Sequence, residues 1–414
     1  MTEQHQRQHP RHAVITGLGA VTCLGHDVPA LWDGLVAGRS GIDRITRFDP
    51  TGLRNERGGQ VRDWRFAPDE FDLDAAPDEA TQFLLVAARE AWRDAGLGSR
   101  ADLDRVGAIA STNFGGGPSW EEYVRRSVAQ QPTGRTFAEF AFATGLAYLA
   151  RTFGLQGPTT LLSIACASGT AALGCALDWV RAGRADVVLA AGHDVLAPTV
   201  LAGLSILGTM TKEEIRPFSA TRSGTLFGEG AGVLVVEAPH HAAARGARVY
   251  AELLGSCQTN NAYHMTAPDK GARGMIRVLS NALADAGVEP RAVDYINAHG
   301  TGTKPHDPEE THAIKAVLGE RAAQIPVSSI KAAVAHTMGA AGAVEAIATV
   351  KALAEGVIPP TLNYEEPDPE CDLDYVPNQA RRQAIGCAAS ISAGIGGSNA
   401  CVVLRRPGDG EASP

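Results

Sequence analysis

The stretch SIACASGTAALGC, Ser163–Cys175, places a cysteine where one local pattern changes into another. The residues before Cys166 are apolar and predict a buried strand, whereas those after it are small and predict a helix. A helix N-terminus favours the thiolate of a nearby cysteine, and small neighbours let a substrate approach closely. Cys175 lies within the predicted helix among alanine and leucine, where we expect a buried core side chain. Cys166 is therefore the candidate nucleophile of the two, although most cysteines are structural.

Strands and helices alternate along the chain on both sides of this stretch. This alternation is typical of a parallel or mixed sheet covered on both faces. No linker-like segment interrupts the pattern, so we expect two α/β halves, residues 1–255 and 256–414, packed as one body. The predicted strands are Ala13–Ile15, Arg105–Ala110, Val187–Ala191, Gly232–Val236, Tyr295–Asn297 and Cys401–Leu404, and the predicted helices are Glu79–Ala95, Gly169–Ala182, Gly274–Ala286 and Gly342–Ala354.

Composition excludes several classes of protein. The 414 residues, 44% of them hydrophobic, are too many for one ordinary domain of about 100–200 residues. The net charge of -9 argues against a general nucleic-acid binder, which needs clustered Lys and Arg. Seven cysteines without a Cys-X-X-Cys pair predict neither a disulfide framework nor a zinc site.

Targeting signals are not apparent. The N-terminal stretch MTEQHQRQHPRH has no apolar core of the kind that a secretory signal needs. No apolar run reaches the roughly 18 residues that would predict a membrane-spanning helix. We therefore expect a cytoplasmic protein that does not enter a membrane.

Two further stretches carry polar side chains at predicted strand ends. INAHGTGTKPHD, Ile296–Asp307, places His299 directly after a strand, before a turn rich in glycine and threonine. SSIKAAVAHTMGAAGAVEA, residues 328–346, contains Lys331, His336 and Glu345. A lone histidine is more often a core residue than a catalyst. A cysteine, two histidines and a lysine at strand ends beside glycine are nevertheless expected where strands converge on a pocket.

The segment 110–144 is less regular and rich in aromatic residues. It contains the run Gly115–Gly117 and six aromatic side chains, among them Phe114 and Trp120. A long insertion of this kind forms a lid, a pocket wall or a subunit contact. The alternative is a surface loop that packs on its own aromatic side chains.

Taken together, the motifs ACASG, NAHGTGT, SSIK followed by His, GAAGAVE and GIGGSN resemble those of a known family. They look like the β-ketoacyl-[acyl-carrier-protein] synthases of the thiolase superfamily. The likeness is greatest to the synthase II type and to the catalytic ketosynthase subunits of type II polyketide systems, and it spans Arg11 to Leu404. The resemblance implies a duplicated αβαβα five-layer fold, usually dimeric, whose second half carries two catalytic histidines.

The resemblance also implies an acyltransferase that condenses two acyl groups in polyketide or fatty-acid biosynthesis. An acyl chain from the acyl carrier protein would be transferred to Cys166, and malonyl-carrier-protein would lose CO2 and attack it. The substrates would travel on phosphopantetheine, with no metal or organic cofactor. The implied roles are hydrogen-bond donors to the malonyl thioester oxygen for His299 and His336, a charged pair for Lys331 and Glu345, pantetheine contacts for Thr301 and Thr303, and an oxyanion hole from the backbone N–H groups of Cys166 and Ile395.

Several positions depart from the family pattern. Ile395 stands where an aromatic gate is usual, and Ala393 replaces another common Phe. Thr225 also stands in an aromatic position, and Ala335 replaces the Gly that commonly precedes the second histidine. Ser219 and Ser223 replace Asp. These changes favour a specialised, secondary-metabolite ketosynthase over a housekeeping fatty-acid enzyme.

Phe114 matches a position at the far end of the acyl channel. A bulky ring there predicts a preference for short or unsaturated acyl chains, unless the ring swings aside. The alternative to a condensing enzyme is a non-elongating partner subunit resembling a chain-length factor, which normally lacks the active cysteine. As a condensing enzyme, the chain would form a homodimer or be the catalytic half of a ketosynthase/chain-length-factor heterodimer. A degradative thiolase is disfavoured by the two-histidine signature.

Overall fold

The computed structural model describes residues 11–98 and 102–408. Within these ranges the chain forms fourteen β-strands and twelve α-helices. The strands are β1 (Ala13–Val21), β2 (Asp43–Arg44), β3 (Arg57–Gly58), β4 (Val106–Ser111), β5 (Thr159–Leu162), β6 (Val187–Asp194), β7 (Gly230–Glu237), β8 (Ala251–Asn260), β9 (Tyr295–Asn297), β10 (Val327–Ser328), β11 (Val357–Ile358), β12 (Arg381–Arg382), β13 (Cys387–Ala393) and β14 (Ser398–Arg405). The helices are α1 (Val28–Val36), α2 (Glu79–Asp94), α3 (Gly117–Val128), α4 (Thr136–Phe140), α5 (Thr144–Phe153), α6 (Ser168–Arg181), α7 (Pro198–Ile206), α8 (Pro239–Ala244), α9 (Arg273–Ala286), α10 (His306–Leu318), α11 (Lys331–Val334) and α12 (Ala341–Glu355).

Ten of these strands form one mixed sheet in the order β10-β9-β13-β14-β8-β1-β7-β6-β4-β5. Five strands from the first part of the chain are contiguous in it, and five from the second part follow them. The antiparallel pairing of β1 with β8 joins the two groups. The predicted boundary at residue 255 falls inside β8, and the division of the chain at that position stays a prediction.

Helices cover the outer face of each group of strands, and two further helices fill the space between the inner faces of the two groups. Helices α6 and α12 pack against each other, α6 against β6 and β8, and α12 against β7 and β13. Helices α2 and α5 pack on the first group, and α9 packs on β8 and β14 with α10 beside it. The succession is helix, sheet, helix, sheet, helix, which confirms the predicted αβαβα arrangement.

The two central helices approach closely because their first turns are built from glycine. A Cβ added to Gly169 would lie 2.6 Å from the backbone nitrogen of Ala343, and one added to Gly342 would lie 2.3 Å from that of Thr170. Real Cβ atoms do not tolerate such distances, so each glycine is required by this contact. The start of α6, next to Cys166, is thereby held against the start of α12.

Strand β1 is longer than predicted. The apolar run indicated Ala13–Ile15, but the strand continues to Val21 through GLGAV. Gly17 and Gly19 weaken the apolar pattern, and both face α2; a Cβ on Gly19 would lie 1.9 Å from the carbonyl oxygen of Ala87.

Among the helices of the described ranges, none is long and apolar enough to cross a membrane.

Candidate active site

Cys166 lies in the tight turn between β5 and α6. Ala165, immediately before it, has a φ of 54°, in the left-handed region that a non-glycine residue rarely adopts. The Cys166 side chain is buried, at 7% exposure. Gly394 packs directly against it, since an added Cβ there would be 2.9 Å from the Cys166 nitrogen. The turn therefore presents the thiol to the loop that follows β13.

Burial decides the protonation state of the Cys166 thiol. It raises the pKa of Cys166 to about 11, against the lowering effects of the Lys331 charge and of a hydrogen bond from the Ile395 backbone N–H. The thiolate that the helix dipole was expected to favour is therefore opposed by loss of solvent. The Ile395 N–H is hydrogen-bonded to the Cys166 sulfur and therefore lies beside the atom that would carry an acyl group.

His299 follows β9 and is held through its backbone by α10. The backbone N–H groups of His299 and Gly300 donate to the two oxygens of Glu310, at 2.7 and 2.8 Å. Asp307 in turn accepts from the backbone N–H of Gly302, at 3.1 Å. Two carboxylates one helical turn apart thus fix the whole loop that carries the histidine.

Lys331 is buried, at 1% exposure, and all three of its N–H donors point at acceptors. Its ammonium group donates to Glu345 and to the carbonyl oxygen of His299, the latter at 2.6 Å. It also lies 3.3 Å from Nδ1 of His299. An ammonium group can only donate, so Nδ1 accepts and the proton of His299 is on Nε2.

His336 is placed by strand-like contacts on both sides. Its backbone N–H donates to Leu226 at 2.8 Å, and its carbonyl oxygen accepts from Gly228 at 2.9 Å. Its Nδ1 accepts from the backbone N–H of Met338 at 3.4 Å, which again places the ring proton on Nε2. The rings of His299 and His336 lie 5.3 Å apart, edge to face. The two neighbouring imidazole rings can therefore each donate a hydrogen bond from Nε2–H.

Both imidazoles are held neutral. Burial, followed by the charge of Lys331, lowers the pKa of His299 and of His336 well below the usual range. A neutral imidazole can donate a hydrogen bond to developing negative charge without first losing a proton. Glu345 compensates the Lys331 charge, and burial raises the pKa of Glu345 while Lys331 opposes that shift.

Two cavities meet at Cys166. The histidine cavity, of about 360 Å³, also contains His299, His336 and Ile395 in its walls. The aromatic cavity, of about 560 Å³, is lined by Phe114, among others, and by Cys166 and Ile395. The thiol therefore borders two compartments, one that contains the two histidines and one that is lined by aromatic rings.

The aromatic insertion, residues 110–144, has features of both predicted alternatives: it packs on its own aromatic side chains and it forms a pocket wall. The rings of Trp120 and Phe140 lie 4.8 Å apart and those of Tyr123 and Phe137 lie 5.3 Å apart, both pairs tilted, so the segment packs on itself. Trp120 and Phe140 also line the aromatic cavity together with Phe114. The insertion is thus a pocket wall made of aromatic rings that contact one another.

The structure brings the predicted site residues together. Thr301 and Thr303 line the histidine cavity with their hydroxyl groups 3.0 Å apart, and Phe114 is in the aromatic cavity. Cys175 is only partly buried, in α6, with the Gln258 amide 3.9 Å from its sulfur. Sequence reasoning missed Asp307, Glu310 and His306, although all three stand in or just after the quoted stretch; their i, i+3 and i, i+4 spacing on one helix was the available signal.

Ala335, just before His336, is strained. Its φ of 63° and ψ of -179° belong to a region that is essentially reserved for glycine. Its methyl group faces Gly59 and Gly228, where added Cβ atoms would be 2.9 Å away. The glycine expected at this position from the family pattern would fit the backbone without strain.

Comparison with known proteins agrees with this geometry. The model of the beta-ketoacyl synthase N-terminal domain matches residues 11–242, and that of the C-terminal domain matches residues 250–365. A protein of Streptomyces halstedii assigned as polyketide beta-ketoacyl synthase 1 is 41% identical, with 96% of this chain and 98% of the relative covered. The 3-oxoacyl-[acyl-carrier-protein] synthase 2 of Coxiella burnetii is 38% identical over 96% of this chain and 99% of its own.

Solved structures give the same result. The ishigamide ketosynthase/chain length factor has a TM-score of 0.90 at 36% identity, covering 96% of this chain and 100% of that one. A type II polyketide ketosynthase, solved with its acyl-carrier protein and bound to the hexaketide, has a TM-score of 0.88 at 34% identity, covering 96% and 99%. Fold and site together define a thiolase-like condensing acyltransferase. The chain belongs to the β-ketoacyl synthase family.

Proposed function

We propose that this enzyme extends an acyl chain by decarboxylative condensation with malonyl-carrier-protein, as a ketosynthase of specialised metabolism. The observation that carries the proposal is the pair of neutral imidazoles, His299 and His336, whose Nε2–H groups share one cavity with Cys166. Two donors of this kind suit an oxygen that becomes negatively charged. An intact cysteine beside them supports a condensing subunit over a chain-length-factor-like partner.

In the first half-reaction the Cys166 sulfur attacks the thioester carbonyl of the incoming acyl group. The tetrahedral oxyanion accepts hydrogen bonds from the backbone N–H groups of Cys166 and Ile395. The pantetheine thiol leaves with the proton that the cysteine gives up. The acyl chain then occupies the aromatic cavity, while Thr301 and Thr303 hold the pantetheine arm of each carrier in turn.

In the second half-reaction the bond between the malonyl α-carbon and its carboxylate breaks, and CO2 leaves. The electron pair forms an enolate whose oxygen accepts hydrogen bonds from His299 and His336, each worth about 3 kcal/mol. The α-carbon attacks the acyl-cysteine carbonyl, and the Cys166 thiolate is expelled. Lys331 and Glu345 set the field that keeps the imidazoles neutral, so the chain's own side chains supply the chemistry without a metal or organic cofactor.

A carrier protein and a second subunit complete the proposed assembly. β5 is one of the two edge strands of the sheet. Val128 in α3, Phe137 in α4 and Ile206 in α7 expose 81%, 58% and 86% of their surface. An open strand edge and exposed apolar side chains each support a dimer, either with a second copy or with a chain-length-factor-like subunit. All seven cysteines are free thiols, which fits the reducing cytoplasm.

Intact-protein mass spectrometry tests the proposal. The wild type is incubated with carrier proteins bearing acyl chains of different length, beside Cys166→Ala. We expect a chain-sized mass gain on the wild type alone, and release of a lengthened chain after malonyl-carrier-protein is added. His299→Ala is expected to accept the acyl group but not to condense it. Equal mass gain on Cys166→Ala, or no gain with any primer alone or with a co-expressed partner, contradicts the proposal.

A further inference from the structure

Asp194, the last residue of β6, is a buried carboxylate to which the proposed reaction gives no role. Its exposed fraction is 0%. The backbone N–H groups of Asn113 and Phe114 each donate to it at 3.0 Å, and the Thr112 hydroxyl donates at 2.6 Å. The backbone N–H of Gly339 donates to it at 2.7 Å. One carboxylate thus holds four donors from two segments that are distant in the sequence.

The charge of Asp194 suits it to this contact. Burial raises the pKa of Asp194 to about 6, and the hydrogen bonds from Thr112 and from the three backbone N–H groups oppose that shift. At pH 7 the group is therefore mostly ionised, and an ionised carboxylate only accepts hydrogen bonds. Hydrogen bonds to a charged acceptor are stronger than those between neutral groups. The four donors therefore fix both segments to the end of β6.

The two segments form part of the wall of the aromatic cavity. Asn113, Phe114 and Met338 line this cavity, and Gly339 follows Met338 directly. The contact leaves no spare room, since a Cβ added to Gly339 would lie 2.7 Å from Oδ2 of Asp194 and 2.9 Å from the Asn113 nitrogen. Asp194 thus holds the wall from outside the cavity.

The side chain of Asn113 connects this wall to the turn that carries Cys166. Both ends of its amide group are satisfied when the nitrogen donates to the carbonyl oxygen of Ala165 at 2.9 Å and the oxygen accepts from the Gly339 N–H at 3.3 Å. Ala165 is the residue of positive φ immediately before Cys166. The distance between the thiol and the cavity wall therefore depends on the segment that Asp194 fixes.

We propose that Asp194 is a positioning residue that limits the length of the acyl chain on Cys166, because it fixes the backbone of Phe114 at the aromatic cavity. This inference rests on the proposed function, and it assigns chain-length control to a residue outside the cavity wall. While the backbone N–H of Phe114 is held, the ring can move only by rotation about its side-chain bonds. Once that hydrogen bond is lost, the whole residue can move aside for a longer chain.

The test compares the rates at which butyryl- and dodecanoyl-carrier-protein load Cys166, followed by intact-protein mass spectrometry. Asp194→Asn keeps the shape of the side chain but places an amide NH2 group among N–H donors. We expect the dodecanoyl-to-butyryl ratio of loading rates to rise about tenfold, the equivalent of one hydrogen bond. Butyryl loading is expected to stay near the wild-type rate, because a short chain does not reach Phe114.

A second pair of variants leaves the carboxylate in place. Thr112→Val removes the hydroxyl that donates to Asp194 and is expected to raise the ratio in the same direction, whereas Thr112→Ser keeps the hydroxyl and is expected to restore the wild-type ratio. Asp294→Asn is the matched control. Its carboxylate also accepts from two backbone N–H groups, those of Gly386 and Cys387 at 2.9 and 3.1 Å, but it lines neither cavity at Cys166.

Three results overturn the inference. The first is an unchanged ratio in both Asp194→Asn and Thr112→Val. The second is an equal fall in the loading of both chains, which indicates a merely structural role, and the third is a rise of the same size in Asp294→Asn. A wild type that accepts neither chain contradicts the proposed function instead, and the inference falls with it.

Discussion

Replacing Lys331 with methionine tests the electrostatic core of the site. The variant keeps most of the length of the side chain but leaves Glu345, which is 2% exposed, without its counter-charge. Breaking a buried ion pair by removing one partner costs about 3–5 kcal/mol of unfolding free energy. Glu345 can reduce that cost by binding a proton, so the loss of unfolding free energy depends on pH.

The sign of that dependence follows from the pKa of Glu345. Burial raises this pKa in the folded protein, and Lys331 opposes the shift, so the variant's folded pKa is higher still. Above the unfolded value of about 4.3, the unfolded chain releases the proton and the folded variant keeps it. Stability then falls by about 1.4 kcal/mol per pH unit as pH rises to the folded pKa. The variant is least impaired near pH 5 and most impaired near pH 8.

Urea unfolding at one protein concentration, at pH 5, 6.5 and 8, measures the effect. Lys315→Met is the control, since the Lys315–Asp372 pair is 47% and 48% exposed and its loss is expected to cost less than about 1 kcal/mol. Adding Glu345→Gln to Lys331→Met is expected to abolish the extra pH dependence. A Lys331→Met penalty no larger than that of the control, or equal at pH 5 and pH 8, refutes the reasoning.

Three other predictions concern single residues. Because burial raises the pKa of Cys166 to about 11, its alkylation by iodoacetamide is expected to accelerate about tenfold per pH unit from pH 7 to 10; a plateau near pH 8 contradicts this. Ala335→Gly is expected to stabilise the protein by about 1 kcal/mol and Ala335→Val to destabilise it by more than about 2 kcal/mol, because the backbone there suits glycine; thermal unfolding shows whether the order is reversed. Phe114→Ala enlarges the aromatic cavity and is expected to extend the range of acyl chains loaded on Cys166, measured by mass spectrometry, with an unchanged chain profile as the contrary result.

The sequence predicted the parts of the site whose signals are local. Cys166, His299 and Lys331 each follow a strand, so their convergence could be expected from the strand pattern. Their implied roles came from the family motifs. A sheet covered by helices on both faces also followed from the alternation of apolar runs and helices, whereas the five layers were implied by the resemblance to the family.

What the sequence did not reveal depends on contacts between distant segments. The thiolate expected at Cys166 is opposed by burial, which arises from the packing of residues far along the chain. His306 is only seven positions after His299, but the approach of the two rings to 5.0 Å depends on the fold of the loop between them. The positive φ of Ala335 is likewise invisible until the backbone is traced.

The position of Cys166 at the junction of two cavities has a consequence for the lifetime of the acyl-enzyme. In the proposed reaction, an acyl chain in the aromatic cavity plugs one approach to the thioester, and the pantetheine arm of the next carrier fills the histidine cavity on the other side. Hydrolysis competes with condensation chiefly in the interval between carriers. A well-fitting primer therefore protects its own bond from water, and a chain too short to fill the aromatic cavity is the one most readily lost as free acid.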